Sequence, residues 1–391
     1  GKELLKKEIQ TSNELKAWWI DEMKTTEFPL REKMTLFWEN HFVTAYQKVK
    51  VNYWIFQKNQ LLRENAFGNF KTLTKKAMQT NAMVRYLDNV DNKKGKLNEN
   101  LSRELLELFT LGIGNYSEAD IKNGAKGLAG LGVGETTAMY RRFLEDNDPI
   151  EYLGKKGVLK LDEMVDAIFD HPKIPYLLTQ KILQWFLYDE PKENLVKHYG
   201  DYFRKVNFEI KPLLIKIFTE EFTKNDTAGS KIKNPLEYIL LLTSELKTQR
   251  PESTTIAFFL KQQGMDLFNP PNVKGWDGGK SWLTSQIYLQ RNNVADLLSS
   301  GKSIPRSKLE RENTLNKKQA FSISLDWNTK GTNKEIIKEL TDRLLFSTDT
   351  SLQKKKKKIL KYDFDPQSLG ANDAVLRLFN AIIKSPEFQL I

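Results

Sequence analysis

The sequence predicts an all-α protein, a multihelical globular array with long irregular loops and little or no sheet. Three observations carry this expectation. Apolar residues recur at the 3.6-residue spacing of one helix face along most of the chain. Alternation of the strand type is scarce: residues 321–325 alternate and 136–143 could extend, but nothing resembles a sheet. Gly at 21 and Pro at 13 of 391 residues lie below ordinary usage, against a β-rich or low-complexity chain.

The first helix covers 2–23, on Leu4, Leu5, Ile9, Leu15, Trp18, Trp19 and Met23. Pro29 opens the second at a first-turn position, with Glu32 placed for the helix dipole. Leu30, Met34, Phe37, His41 and Ala45 form its stripe, widened by Trp38 and Phe42. Helices at about 51–66 and 70–80 follow. Asn98 or Asn100 caps a fifth that runs to Thr110, where Gly112 supplies a left-handed stop. Ser117-Glu118-Ala119-Asp120 starts the next with a capping-box pattern. Further helices are expected near 161–170, 174–188, 193–205, 211–223, 232–246, 253–263, 282–299, 333–346, 351–361 and 371–384. The least structured stretches are about 130–160, 264–281 and 301–332. Three parts are expected: an N-terminal helical subdomain at 1–130, a central one at 131–300, and a polar linker with C-terminal helices at 301–391.

Composition narrows the function. Hydrophobic residues at 40% and aromatics at 11% fill a real interior, which excludes global disorder. No apolar run approaches the ~20 residues of a membrane span. With no cysteine there is no disulfide, thiolate metal site or cysteine nucleophile. The net charge of +11 tempts a nucleic-acid reading, but no recognisable binding module accompanies it. The densest basic block, Lys354 to Lys358, reads as the solvated face of a short helix carrying Leu352, Ile359 and Leu360.

Three segments carry possible chemistry. In 98–112, Leu101, Leu105 and Leu108 share one helix face, while Glu99, Arg103 and Glu107 follow at i,i+4 on the other. That ladder is either a solvated polar face or a partly buried network, a guanidinium between two carboxylates with Asn98 and Asn100 at the helix mouth. The stronger expectation is that Arg103 is substantially buried. His41 lies in the aromatic stripe 37–42, as a satisfied core histidine or as a base. His171 closes a helix before Pro172, and His198 sits in a polar helix. No metal and no cofactor is expected, since three scattered histidines make no transition-metal site and no calcium-loop spacing is present. In 269–282, Gly275, Gly278 and Gly279 permit positive φ, and Ser281 caps the following helix. Trp276 and Trp282 there either plug the core or offer flat faces to a sugar ring, and Lys274 and Lys280 stand near an anion-receptive helix start.

These residues resemble the bacterial family catalogued as domain of unknown function 1800. The resemblance runs from about residue 25 to the C-terminus. It rests on 37–42, on Asn98-Glu99-Asn100 with 103–112, and on Leu153-Gly154 and His171-Pro172. Gly275-Trp276 with Gly278-Gly279 and Trp282, and Ser385-Pro386-Glu387-Phe388, complete it. It implies a helical protein, mostly exported from bacterial cells, often encoded beside an alkaline-phosphatase-like partner, with no accepted activity. Where the family has Ala-x-x-Leu-Thr-Gly-Trp, this chain has Ala125 to Leu131 with Ala129 and Leu131 in place of Thr and Trp. Asn147-Asp148 stands for the family's His-Asp, and these losses count against an activity in this member. The family's N-terminal segment is missing, so a longer precursor with an upstream signal is expected. Asp226-Thr227-Ala228 fits a short bacterial O-glycosylation pattern, in line with export.

Two functions follow as expectations. The first is an exported scaffold or binding component of an envelope or cell-surface assembly in a Gram-negative bacterium. Its contact face would combine Asn98, Asn100, Arg103, His41 and the Gly-Trp loop, and would meet a protein partner or a glycan. The second is a hydrolase or transferase on an envelope polymer. Its acids and bases would come from Glu99, Glu104, Glu107, Asp120 and His41, with Arg103 as electrostatic stabiliser.

Overall fold

The computed structural model describes residues 2–224, 227, 229–248, 252–300, 323–346, 360 and 364–391. It is mostly all-α, with two small antiparallel hairpins among the described residues. The chain divides into two compact units: 1–224 with 267–277, and 225–266 with 278–391. The expected boundary at 130/131 thus falls inside the first unit, and the 264–281 stretch is shared out between the two. The lysine run 354–358, Asp226, Ala228 and the start of the 321–325 alternation lie outside the described residues, and 323–325 form no strand.

In the first unit, α1 (Lys2–Thr25), α2 (Pro29–His41), α3 (Tyr46–Val49), α4 (Asn52–Glu64), α5 (Phe70–Met78) and α6 (Asn81–Tyr86) precede α7 (Asn100–Glu107) and α8 (Glu118–Gly127). Strands β1 (Leu131–Gly132) and β2 (Met139–Tyr140) pair, as do β3 (Ile150–Tyr152) and β4 (Lys155–Gly157), so the 130–160 stretch holds the molecule's short strands. Helices α9 (Leu161–Asp170), α10 (Ile174–Phe186), α11 (Glu193–Lys205) and α12 (Ile210–Glu221) complete the unit. The helix expected at 70–80 is α5, which ends at Met78, near its expected end, and Thr80, whose hydroxyl accepts from the Met83 amide, starts the unexpected α6.

The core of this unit is aromatic. Trp38 stacks on Phe42 and Phe70 at 5.8 and 6.0 Å, and Phe70 continues to Phe169 and Phe203 at 5.2 and 6.2 Å. The α2 stripe is buried at Met34, Phe37, Trp38 and His41, but Leu30 is exposed and the helix stops before Ala45. Glu32 does more than meet a dipole. It is buried, accepts two hydrogen bonds from Arg63 at 2.7 and 2.9 Å, and takes a third from Trp19 Nε1 at 2.9 Å.

The second unit holds α13 (Pro235–Glu245), α14 (Ser253–Gln262), α15 (Ser285–Ser299), α16 (Asn333–Leu344) and α17 (Ala371–Ile383). Thr284, rather than Ser281, caps α15; Ser281 donates to the Gly278 carbonyl within a 3-10 turn. The C-terminal segment runs back along 231–233, with Lys233 N donating to Gln389 O and Ile391 N to Lys231 O. Buried Arg291 donates to Gln389 Oε1 at 3.0 Å and to Lys233 O at 2.7 Å. Lys233 donates to the Phe388 carbonyl and lies 4.6 Å above that ring, a contact that ties the end of the 385–388 motif to residue 233. Burial lowers Lys233 to about 8 and Arg291 to about 10.

Candidate functional site

Four consecutive residues at the end of α2 each meet different partners in the first unit. Trp38 Nε1 donates to the Ala66 carbonyl at 3.0 Å. Glu39 accepts from Lys58 and from Asn59 Nδ2, while Lys58 also donates to Thr44 at 3.0 Å. Asn40 accepts from the Trp276 amide at 2.7 Å and donates to its carbonyl at 3.3 Å. His41 Nε2 is 3.0 Å from the Phe109 carbonyl, and Lys181 Nζ is 3.4 Å from Nδ1. A neutral ring with its proton on Nε2 satisfies both contacts.

That protonation state has a physical cause. Burial holds His41 well below its usual 6.5, and the Lys181 ammonium beside it pushes the same way. Lys181 donates to the Leu108 carbonyl at 2.8 Å, at the end of α7, and burial lowers it to about 8. His41 is therefore a core tie between α2, the end of α7 and α10, placed under Phe37, Trp38, Phe42 and Phe109. It does not stand on an exposed contact face.

The α7 segment differs from expectation in two ways besides its cap, which is Glu99 with no side-chain bond rather than Asn98 or Asn100. The helix ends at Glu107 rather than Thr110, because the amides of Leu111 and Gly112 both reach back to the Leu106 carbonyl before Gly112 turns at φ +84°. At its mouth Asn98 Oδ1 accepts from the Asn100 amide at 3.0 Å, and Asn92 Oδ1 accepts from the Asn98 amide at 3.0 Å. The second difference is the ladder. Arg103 is about one-third exposed, pairs with Glu99 at 3.3 Å, and makes its better bonds to Glu118 of α8 at 3.0 and 3.1 Å. Hydrogen bonds to Glu118 raise its pKa further. Glu107 instead accepts from Tyr116 at 2.9 Å, and burial with that bond pushes Tyr116 up to about 12. The guanidinium is thus a surface bracket between α7 and α8, not a buried cation.

Asp120 completes the capping box with Ser117 and accepts from the Leu153 amide at 2.8 Å. Burial pushes its pKa up, and the bonds from Ser117 and Leu153 overcome this and hold it below the usual range. Leu153 and Gly154 both have positive φ, 48° and 82°, at the tip of the β3–β4 hairpin that Asp120 holds. Glu104 stands apart. It is half-buried, and burial raises its pKa, with Glu107 adding to the rise while Arg103 and Lys274 oppose it.

In the Gly-Trp loop, Gly275 at φ +87° presses against α2: a Cβ there would fall 2.2 Å from Asn40 Oδ1. Trp276 is 8% exposed and Trp282 7%, so both are core plugs with little face for a sugar. Trp276 belongs to the first unit, whereas Gly278, Gly279 and Trp282 belong to the second. Gly278 and Gly279 take φ values of 76° and 52° in the turn that leads to Trp282. His171 closes α9, and burial, with Arg204 nearby, lowers its pKa. His198 is exposed, 3.4 Å from Glu220.

Sequence reasoning missed the partners that come from afar: Lys58, Asn59, Arg63 and Lys181 in the first unit, Lys233 and Arg291 in the second. Periodicity could have flagged Lys58, Arg63, Lys181 and Arg291 as cations on otherwise apolar helix faces, whereas Asn59 is an uncharged amide and Lys233 precedes α13. It also missed a buried amide cluster, in which Asn89 donates to Leu128 and Leu131 carbonyls and Asn92 donates to Ala125. Among the described residues no cluster of three or more His, Asp or Glu could hold a metal, and no helix is long and apolar enough to cross a membrane.

No curated protein and no solved structure matches the chain. A family model described as "Protein of unknown function (DUF1800)" matches residues 2–390, so the chain belongs to that family over essentially its whole length.

Proposed function

We propose that this protein is an exported, non-catalytic binding component of a bacterial envelope or cell-surface assembly. One observation carries the reading. Four of the five candidate acids and bases are engaged in structural bonds: His41 to a carbonyl and Lys181, Asp120 to a cap and a hairpin, Glu99 to Arg103, Glu107 to Tyr116. Residues used in this way build a rigid frame, and the outer side of α7 with its Glu99–Arg103–Glu118 charges is the surface such a frame would present. An envelope protein, such as an alkaline-phosphatase-like neighbour, or a glycan is the proposed partner. Export itself is part of the proposal and rests on the family resemblance.

A second reading has one observation in its favour. Glu104 is half-buried, carries a raised pKa beside Glu107, and its carboxylate accepts no hydrogen bond among the described residues, which suits a proton donor in a hydrolase or transferase. Fractionation of native cells followed by affinity capture from membranes and culture medium tests the two together. The binding reading expects the protein outside the cytoplasm with a stoichiometric partner, retained equally by Glu104→Gln. Confinement to the cytoplasm would contradict it. Breakdown of envelope polymer by the purified protein, lost in Glu104→Gln, would replace it with the enzyme reading.

A further inference from the structure

A cleft of about 420 Å³ opens in the first unit, and none of the candidate residues above lines it. Its walls come from 49–54, from 85–92 and from the β1–β2 hairpin with its flanks. Its charge is one-sided. Lys50, Arg85 and Arg141 line it, and no Asp or Glu does. Nearby cations are neutralised, Lys48 by Asp88 and Lys94 by Asp146 and Asp148, whereas these three make no ion pair among the described residues. Unpaired guanidinium and ammonium groups converging on a concave, carboxylate-free wall form an anion-receptive surface.

The cleft is held in shape from behind. Asn92 accepts the Gly130 amide at 2.9 Å through its carbonyl, and its side chain donates to Ala125 O at 2.8 Å. Gly130 is fixed at φ +82°, where a Cβ would fall 2.8 Å from the Glu145 amide. Arg141 pairs its own amide with Gly130 O at 2.9 Å and donates from its guanidinium to Val133 O at 3.1 Å. That leaves further N–H groups of Arg141 for a ligand, at little ordering cost. The rest of the lining is largely aliphatic, with Val49, Val51, Val90 and Leu131, and it includes Trp54, half-buried, an amphipathic ring on which an apolar face can pack. The volume lies low in the ~300–1,000 Å³ range of small-molecule sites, suited to a ring or two rather than a polymer.

We infer that this cleft binds a small anionic sugar, a ring carrying a phosphate or a carboxylate, with the anion on Arg85, Arg141 and Lys50 and the ring against Trp54. The inference is independent of the function proposed for α7. Calorimetric titration of the full chain with glucose 6-phosphate, glucuronate, inorganic phosphate and glucose tests it. At least one anionic sugar binds tenfold or more tightly than both glucose and inorganic phosphate; preference for the first assigns a phosphate, for the second a carboxylate. Arg85→Ala and Arg141→Ala, both at exposed positions, each weaken that binding at least tenfold; the melting temperature is unchanged in Arg85→Ala, while Arg141→Ala also loses the bond to Val133. Trp54→Leu removes the advantage over inorganic phosphate. Equal binding of glucose, equal binding of inorganic phosphate, or wild-type affinity in both arginine variants overturns the inference; the ligand comparison in the wild-type chain does so even if a variant fails to fold.

Discussion

Helices α2 and α7 carry the two densest stretches of family-like sequence, and they use charge in opposite ways. On α2 the charged residues Glu32 and Glu39 are buried, and each meets a buried cation from α4, Arg63 or Lys58. On α7 the Arg103 guanidinium lies at the surface, where it brackets Glu99 and Glu118 of α8 with all three partly in water. A buried carboxylate stripped of its cation keeps its full desolvation penalty, whereas an exposed one is rehydrated. Similar motif density therefore implies different energetics, and burial decides which.

The comparison breaks most readily at Trp38. Trp38→Ala removes a fully buried ring and the bond to Ala66, and should cost about 3–5 kcal/mol in denaturant unfolding. A loss under about 1 kcal/mol would mean that the α2 face is loosely packed. Asn40→Ala comes next, at about 1–3 kcal/mol, because it leaves the Trp276 amide and carbonyl unpartnered. Gly275→Ala should match or exceed it, since the left-handed backbone and the contact with Asn40 both oppose a Cβ. Stability unchanged in both variants would show that the loop is not held by α2.

His41 sharpens the comparison through pH. Its folded-state pKa lies below the unfolded value near 6.5, so below that pH the unfolded chain binds a proton that the folded chain refuses. Its stabilisation is complete above about pH 6.5 and is lost on acidification at up to about 1.4 kcal/mol per pH unit. His41→Gln should flatten that part of the profile between pH 6.5 and 5. Identical slopes in both proteins would mean that His41 is solvated and free to titrate. The smallest effect belongs to Arg103→Met, under about 1 kcal/mol and shrinking with salt.

Much of this was legible in the sequence and some was not, for identifiable reasons. Helix faces follow local periodicity, so α1, α2, α9 and α13 appear near their expected places, and the Ser117–Asp120 capping box is present. The burial of Trp276 and Trp282 matched one of two readings that the glycine-rich loop allowed. Arg103 did not match, because its main partner, Glu118, lies fifteen residues away on another helix while spacing within α7 points only to Glu99 and Glu107. His41 could be placed on an apolar face from its neighbours, yet neither Phe109 nor Lys181 could be inferred, since both arrive through tertiary packing. The 130–160 stretch looked irregular because strands of two or three residues carry too little alternation to register.

The most direct test of the contrast between the two helices is a pair of unfolding measurements on Lys58→Met and Arg103→Met, each at low and at high salt. Lys58→Met leaves Glu39 buried without its cation and should lose about 3–5 kcal/mol at both salt concentrations. Arg103→Met should lose under about 1 kcal/mol at low salt and less at high salt. Equal losses in the two variants, or a loss at Lys58 that salt abolishes, would contradict the account.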